Sequence, residues 1–286
     1  MRIKLSRRET ALIAAAVALS LGVWFWSPPA RPDVSSGGPT AGIAAACSPG
    51  GKSGRASLDD DVTTSDGLGV TVRTPSDYDP TRAYPLIVVY PPAGYDRRKA
   101  EIFYGLTPEA TRRGFVISYS DHLRLSRQTV AQQAKVAATV ESLFCIDQAS
   151  IAYLGHSDGA TIAEGIVASA ADARGAPRAI VASAAGITRE DLDAMPCPAV
   201  PAVLIIHSRA DTLFPGFGRG AAAYWGECAR CAPVDLDAIG DGCRAFSGCA
   251  EERRVAYCET AGPHNRWPGM NAALLDFIQG AAVGSP

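Results

Sequence analysis

Nearly continuous apolar runs of strand length recur along the chain and alternate with segments of helical spacing. Such runs are typical of strands that are covered on both faces of a parallel sheet. We predict strands at residues 70–74, 85–90, 114–119, 151–154, 179–183, 201–207 and 253–259. We predict helices from the loop at residue 96 to about residue 113 and at residues 126–144, 160–171, 218–228 and 271–279. This alternation predicts an α/β domain with a mainly parallel central sheet and helices on both faces.

The N-terminal part does not follow this pattern. Four basic residues among the first eight precede an apolar run over residues 11–26. A positive segment followed by an apolar one predicts a signal peptide or a membrane anchor over residues 1–27, and the run at residues 11–26 allows anchoring in a membrane. Residues 28–57 are rich in Pro, Gly, Ser and Ala and are predicted to be a disordered linker. The folded domain is then expected over residues 58–286.

Composition indicates which classes of function are compatible with this chain. The chain has 286 residues, 47% of them hydrophobic, and a formal net charge of −2. This length and apolar content suit one large domain with a real core. A near-neutral charge without a basic stripe argues against nucleic acid as a partner. We expect a monomer.

Eight cysteines are present, and five of them lie in one C-terminal stretch, at Cys228, Cys231, Cys243, Cys249 and Cys258. Their spacing allows a zinc site, but the export signal favours disulfides. Our preferred pairs are Cys243 with Cys249, and either Cys228 or Cys231 with Cys258. A disulfide-rich C-terminal part predicts a secreted, periplasmic or cell-envelope protein.

One stretch carries a recognisable reactive group. The predicted strand at residues 151–154 runs into Gly155-His156-Ser157-Asp158-Gly159, and a predicted helix follows. A G-x-S-x-G sequence between a strand and a helix is typical of a sharp turn that exposes a nucleophilic serine. Ser157 is therefore the candidate nucleophile.

A nucleophilic serine needs a base and an orienting carboxylate. Of the four histidines, His264 lies in a loop between the last predicted strand and the last helix, where the carboxyl ends of parallel strands gather. Asp211 follows the buried strand at residues 201–207. The order Ser157, Asp211, His264 is that of the α/β-hydrolase triad, so we predict these three as catalytic residues.

The negative charge that develops on a substrate oxygen needs backbone donors. One is expected at Asp158, the residue after the nucleophile. The second is expected at Ala93, with Gly94 as the fallback, because Pro91 and Pro92 have no N–H. Candidate substrate-pocket residues are Gly94, Tyr95, Asp121, His122, Phe214 and Trp267.

These segments together resemble the exported polyhydroxybutyrate depolymerase and feruloyl esterase group of α/β hydrolases. The similarity lies in residues 85–90, 114–119, 145–147, 153–159 and 206–211, in Trp225 with the cysteines after it, and in His264-Asn265-Arg266-Trp267-Pro268-Gly269. The resemblance implies an α/β-hydrolase fold and serine-esterase chemistry on carboxylic esters, with Ser157, Asp211 and His264 as the triad.

The expected function is that of an exported serine esterase that needs no metal or organic cofactor. Its substrate would be an ester, polymeric or small, such as a polyhydroxyalkanoate or a feruloyl or acetyl polysaccharide. A serine peptidase on the same fold is an alternative. A catalytically silent cell-surface binding protein is another, and it is favoured by the Pro91-Pro92 pair and by the charge of Asp158.

Overall fold

The computed structural model describes residues 46–56, 60–169, 176–240 and 242–280. The predicted signal peptide or anchor over residues 1–27, including the apolar run at 11–26, lies outside this range. Within the described ranges, no helix has the length and apolar character that crossing a membrane requires.

Nine strands and eight α-helices make up the described part of the chain. The strands are β1 (Asp60–Thr63), β2 (Gly69–Arg73), β3 (Tyr84–Tyr90), β4 (Val116–Ser120), β5 (Ile146–His156), β6 (Ala179–Ser183), β7 (Ala202–Ser208), β8 (Gly242–Ala245) and β9 (Arg254–Thr260). The helices are α1 (Arg97–Tyr104), α2 (Thr107–Arg112), α3 (Arg127–Gln133), α4 (Lys135–Leu143), α5 (Asp158–Ser169), α6 (Arg189–Asp193), α7 (Phe217–Cys228) and α8 (Asn271–Gln279).

All nine strands form one sheet in the order β1-β2-β4-β3-β5-β6-β7-β9-β8. The six strands from β4 to β9 in this order pair in parallel, and antiparallel strands flank them at both edges. The predicted α/β class with a mainly parallel sheet is confirmed. Parallel strands bring their carboxyl ends to one edge, which is where a site is expected.

Helices cover both faces of the sheet. In β3, Leu86, Val88 and Tyr90 pack into the core on the face covered by α3 to α7, while Ile87 and Val89 pack into the core under α1, α2 and α8. Because both sets are buried, the strand reads as a continuous apolar run rather than as an alternating one.

The structure differs from the predicted elements in a few places. The helix predicted over residues 126–144 is two helices, α3 and α4, which meet at Ala134. The segment before residue 113 is also two helices, because Gly105 adopts a left-handed conformation with φ of 58° and ends α1. The short elements β1, β8 and α6 were not predicted, since four or five residues carry too little periodicity.

The segment 46–56 lies on the domain. Cys47 forms a disulfide with Cys145, and its N–H donates to the carbonyl oxygen of Thr81 at 3.0 Å. The N–H of Gly54 donates to the carbonyl oxygen of Leu143 at 2.8 Å. The disordered linker predicted over residues 28–57 is therefore not seen at residues 46–56, and the folded part begins before residue 58.

Four disulfides are present, and three of them lie in the C-terminal part, as predicted. The preferred pairs are wrong, however, because the bonds join Cys47 to Cys145, Cys197 to Cys228, Cys231 to Cys249, and Cys243 to Cys258. Cys243 lies directly opposite Cys258 in the register of β8 and β9, and β8 was not predicted. Cys228 and Cys231 each form a disulfide and therefore have no thiolate to bind zinc, so the zinc alternative is also wrong. Four disulfides indicate an extracellular or periplasmic protein.

Candidate active site

Ser157 lies on a sharp turn between β5 and α5. Its φ is 56°, a left-handed conformation that a serine adopts only when its surroundings hold it there. A Cβ at Gly155 would lie 2.1 Å from the carbonyl carbon of Gly159, and one at Gly159 would lie 2.1 Å from the carbonyl oxygen of Tyr90. Both glycines are therefore required by close backbone contact, and the turn has the strained shape that the sequence predicted.

The structure brings Ser157, His264 and Asp211 into one hydrogen-bonded chain. Nε2 of His264 lies 2.9 Å from Oγ of Ser157, and Nδ1 of His264 lies 2.7 Å from Oδ2 of Asp211. The Asp211 carboxylate can only accept a hydrogen bond, so Nδ1 of His264 carries the proton and donates it. Nε2 is then unprotonated and can accept the proton of the Ser157 hydroxyl. This is the geometry that activates a serine hydroxyl.

The Asp211 carboxylate is buried and held as an anion. Burial raises its pKa, but hydrogen bonds from His264 and from the N–H groups of Phe214 and Leu213 outweigh burial, and the net pKa lies below its ordinary value. Both N–H groups donate to Oδ1 at 2.9 Å. A fixed, ionised carboxylate orients the imidazole and stabilises its protonated form.

His156, the residue before Ser157, contacts the loop that carries the candidate base. Its Nε2–H donates to the carbonyl oxygen of His264 at 2.6 Å, and its Nδ1 accepts from the hydroxyl of Ser183 at 3.0 Å. Burial lowers the pKa of His156 to about 4, so the ring is neutral at physiological pH. This contact joins residues 108 positions apart, and no local pattern in the chain predicts it.

The loops that carry the acid and the base are tied together. The hydroxyl of Ser208 donates to the carbonyl oxygen of Gly262 and accepts from the N–H of Ala210 at 3.0 Å. His207 donates from Nε2 to the carbonyl oxygen of Phe214 at 2.9 Å, which secures the loop after Asp211. His207 is thus structural, while His264 faces the serine.

The predicted oxyanion donors lie on two segments that meet at the sharp turn of Ser157, which we call the Ser157 elbow. Asp158 is the first residue of α5, where N–H groups have no acceptor within the helix. Ala93 and Gly94 are exposed in the loop after β3, which turns at Gly94 with φ of 77°. The loop begins at Pro91, whose carbonyl oxygen would lie 2.8 Å from a Cβ at Gly159, so it passes directly beside the start of α5.

Four of the six predicted pocket residues line one hollow of about 550 Å³, namely Gly94, Tyr95, Asp121 and His122. Asp96, Arg97 and Arg98 complete it. Phe214 lies elsewhere, with its ring edge-on to His264 at a centroid distance of 5.1 Å. Trp267 is buried, packs against Tyr104 and donates to Asn271 at 2.7 Å, so it supports the His264 loop rather than lining the hollow.

The carboxylate of Asp158 is paired. Nε2 of His122 lies 3.1 Å from Oδ2 of Asp158, and both side chains are largely buried. The carboxylate of the residue after the candidate nucleophile therefore has a hydrogen-bond partner in His122.

No protein-family model and no curated protein matches this sequence. Solved structures do match. An acetyl xylan esterase from Aspergillus awamori has a TM-score of 0.59 at 12% identity, covering 78% of this chain and 99% of that one. A thermostable esterase has a TM-score of 0.56 at 13% identity, covering 78% of this chain and 62% of that one.

A dipeptidyl peptidase 4 from Porphyromonas gingivalis has a TM-score of 0.52 at 14% identity. The match covers 78% of this chain but only 35% of the peptidase. Identities this low show a shared fold and leave the reaction open. Together with the nine-stranded sheet and the strand–serine–helix turn, they show that this chain has the α/β-hydrolase fold.

Proposed function

We propose that this protein is an exported serine esterase that cleaves carboxylic esters through Ser157, His264 and Asp211. The observation that carries the proposal is the hydrogen-bonded chain from Oγ of Ser157 through the imidazole of His264 to Asp211. This arrangement has one well-understood chemical use, the activation of a serine hydroxyl for acyl transfer.

In the first half of the reaction, Nε2 of His264 takes the Ser157 proton while Oγ attacks the ester carbonyl carbon. The tetrahedral intermediate carries a negative oxygen, which the N–H groups of Asp158 and Ala93 stabilise. The protonated imidazole, held by Asp211, then gives its proton to the departing alcohol. The acyl group remains on Ser157.

In the second half, a water replaces the alcohol. His264 takes a proton from this water, and the resulting attack on the acyl-serine forms a second tetrahedral intermediate. Its collapse breaks the acyl–Oγ bond, releases the carboxylic acid and returns the proton from His264 to Ser157. No redox step is involved, and the residues named supply every proton transfer.

The substrate class is proposed from the hollow lined by His122, whose Nε2 contacts the carboxylate of Asp158 next to Ser157. It is lined by Tyr95, Arg97, Asp121 and His122, which are polar or charged. Such a surface suits an ester that bears hydroxyl or carbonyl groups, as polyhydroxyalkanoates and acylated polysaccharides do.

A peptidase is the second candidate, because dipeptidyl peptidases share this fold. Esters and amides differ in their leaving groups, so p-nitrophenyl butyrate and a peptide p-nitroanilide separate the two activities. We expect turnover of the ester and no turnover of the anilide that depends on Ser157. Because a serine peptidase also cleaves the more reactive ester, turnover of the anilide that is lost in Ser157→Ala would favour the peptidase.

The primary test uses the full chain, with Ser157→Ala as the matched variant. We expect hydrolysis of p-nitrophenyl acetate and butyrate by the wild type and a loss of about 10³-fold or more in the variant. A fluorophosphonate probe should label the wild type and leave Ser157→Ala unlabelled. A folded wild type that neither hydrolyses nor reacts would favour the silent binding protein.

A further inference from the structure

His122 contacts both segments that carry the proposed oxyanion donors. Its backbone N–H donates to the carbonyl oxygen of Tyr95, in the loop of Ala93, at 3.1 Å. Its Nε2 lies 3.1 Å from the carboxylate of Asp158, whose own N–H is the other donor. One residue therefore connects the two halves of the oxyanion hole.

The position of His122 is set by the residue before it. The carboxylate of Asp121 accepts from the backbone N–H of Arg97 at 2.9 Å and from its Nη1 at 2.7 Å. The N–H of Asp121 donates to the carbonyl oxygen of Gly69 at 2.9 Å, and Nε2 of Gln133 donates to the Asp121 carbonyl oxygen at 2.9 Å. Contacts to β2, α1 and α3 thus fix the backbone from which the imidazole extends.

The carboxylate that contacts His122 lies next to the candidate nucleophile, where its charge affects the reaction. Asp158 directly follows Ser157 and is the first residue of α5. A negative charge so near the intermediate opposes the growth of a second one, and the effect is strong where water is largely excluded. A hydrogen bond from His122, which lines the hollow, holds the carboxylate on the side of the hollow.

We propose that His122 is a positioning residue for the oxyanion hole, acting through the Asp158 carboxylate. Its imidazole orients the start of α5 so that the Asp158 N–H points at the developing oxyanion, and it shields that oxyanion from the carboxylate. This inference rests on the proposed serine-hydrolase function and adds a residue that the triad does not include.

The test is a double-mutant cycle in the full chain with His122→Ala, Asp158→Ala and the double variant, measured on p-nitrophenyl butyrate. His122→Ala should lower kcat about tenfold to a hundredfold, since misaligned groups in an active site cost rate of this order. KM should change less than about threefold, because the effect is confined to the transition state. Asp158→Ala removes the carboxylate but keeps the backbone N–H, so in that background His122→Ala should cost less than about threefold.

Two controls address folding and specificity. His122→Gln retains a side-chain donor and should recover part of the lost kcat, and melting temperatures show whether each variant is folded. Arg124→Ala alters an exposed residue of the same loop and should leave kcat unchanged.

The possible results of these measurements distinguish a failure of this inference from a failure of the proposed function. An active wild type with unchanged kcat in folded His122→Ala overturns this inference alone, and so does a folded His122→Gln whose kcat is as low as that of His122→Ala. An undiminished loss in the Asp158→Ala background overturns it as well, because His122 would then act by another route. An inactive wild type that a fluorophosphonate does not label overturns the proposed function, and this inference with it.

Discussion

The imidazole of His156 donates a hydrogen bond to the backbone carbonyl oxygen of His264, and the two atoms lie 2.6 Å apart. The residue that precedes the candidate nucleophile thus holds the loop that carries the candidate base. Since His156 ends β5 and its ring is buried, this contact anchors the loop of the candidate base to the sheet.

We expect His156→Asn to lower kcat by about tenfold to a hundredfold, because the His264 loop loses its anchor and Nε2 moves from Ser157. Burial holds the pKa of His156 near 4, so its ionisation does not contribute to the rate between pH 6 and 9. The pH–rate profile of the variant should therefore keep the wild-type shape at lower amplitude. A changed shape with full amplitude would contradict the anchoring role.

Replacing Asp211 with Asn should cost about 10³- to 10⁴-fold in kcat, because an amide does not hold the imidazole in the required tautomer or stabilise its charged form. The pKa of Asp211 lies below its ordinary value, so the wild-type carboxylate is ionised at neutral pH. Asp77→Asn, at an exposed ion pair with Arg82, is the matched control and should retain full activity. Comparable rates for the two variants would exclude Asp211 from the mechanism.

Glu164 makes the stability depend on pH. Its side chain is buried in α5 and accepts from Nε1 of Trp225 at 2.8 Å, and burial raises its pKa from 4.5 to about 7. Because the folded state binds this proton more tightly than the unfolded chain, the free energy of unfolding falls as pH rises from about 4.5 through 7.

Glu164→Gln keeps the hydrogen-bond acceptor and removes the charge. We expect its free energy of unfolding to exceed that of the wild type by roughly 1 to 3 kcal/mol at pH 8, with little difference at pH 5. Urea unfolding at both pH values measures this, and the exposed Glu190→Gln is the control. An equal difference at the two pH values would show that Glu164 does not titrate in this range.

The Cys47–Cys145 disulfide closes a loop of 98 residues and ties the segment before β1 to the domain. Removing it in a Cys47→Ala/Cys145→Ala double variant should lower the free energy of unfolding by about 2 to 5 kcal/mol. Catalysis should be retained, because the bond lies at the opposite end of the strands from Ser157. Peptide mapping without reduction provides a direct check, since recovery of Cys47 with any other partner would contradict the pairing.

Much of the candidate site could be predicted because its signals are local. The Ser157 elbow is a contiguous run whose glycines are required by backbone contacts within that run and with β3. Asp211 and His264 could be selected because parallel strands bring every loop after a strand to one edge. Neither inference needs knowledge of how side chains pack.

Local patterns do not predict the contacts that His156, His122 and the cysteines make. His156 reaches a carbonyl oxygen 108 residues away, and His122 reaches a carboxylate 36 residues away, through loops whose paths depend on the whole sheet. The pairing of Cys243 with Cys258 depends on the register of β8, an exposed strand with little apolar pattern.

The amino-acid sequence by itself determined the alternation of strands and helices, the sharp turn at Ser157 and the order of the three candidate catalytic residues. These follow from local periodicity and from steric limits on neighbouring backbone. The tertiary structure alone decided the disulfide pairs, the anchoring of the His264 loop and the pairing of Asp158 with His122. Those contacts join distant residues, and their geometry exists only once the sheet has placed the loops together.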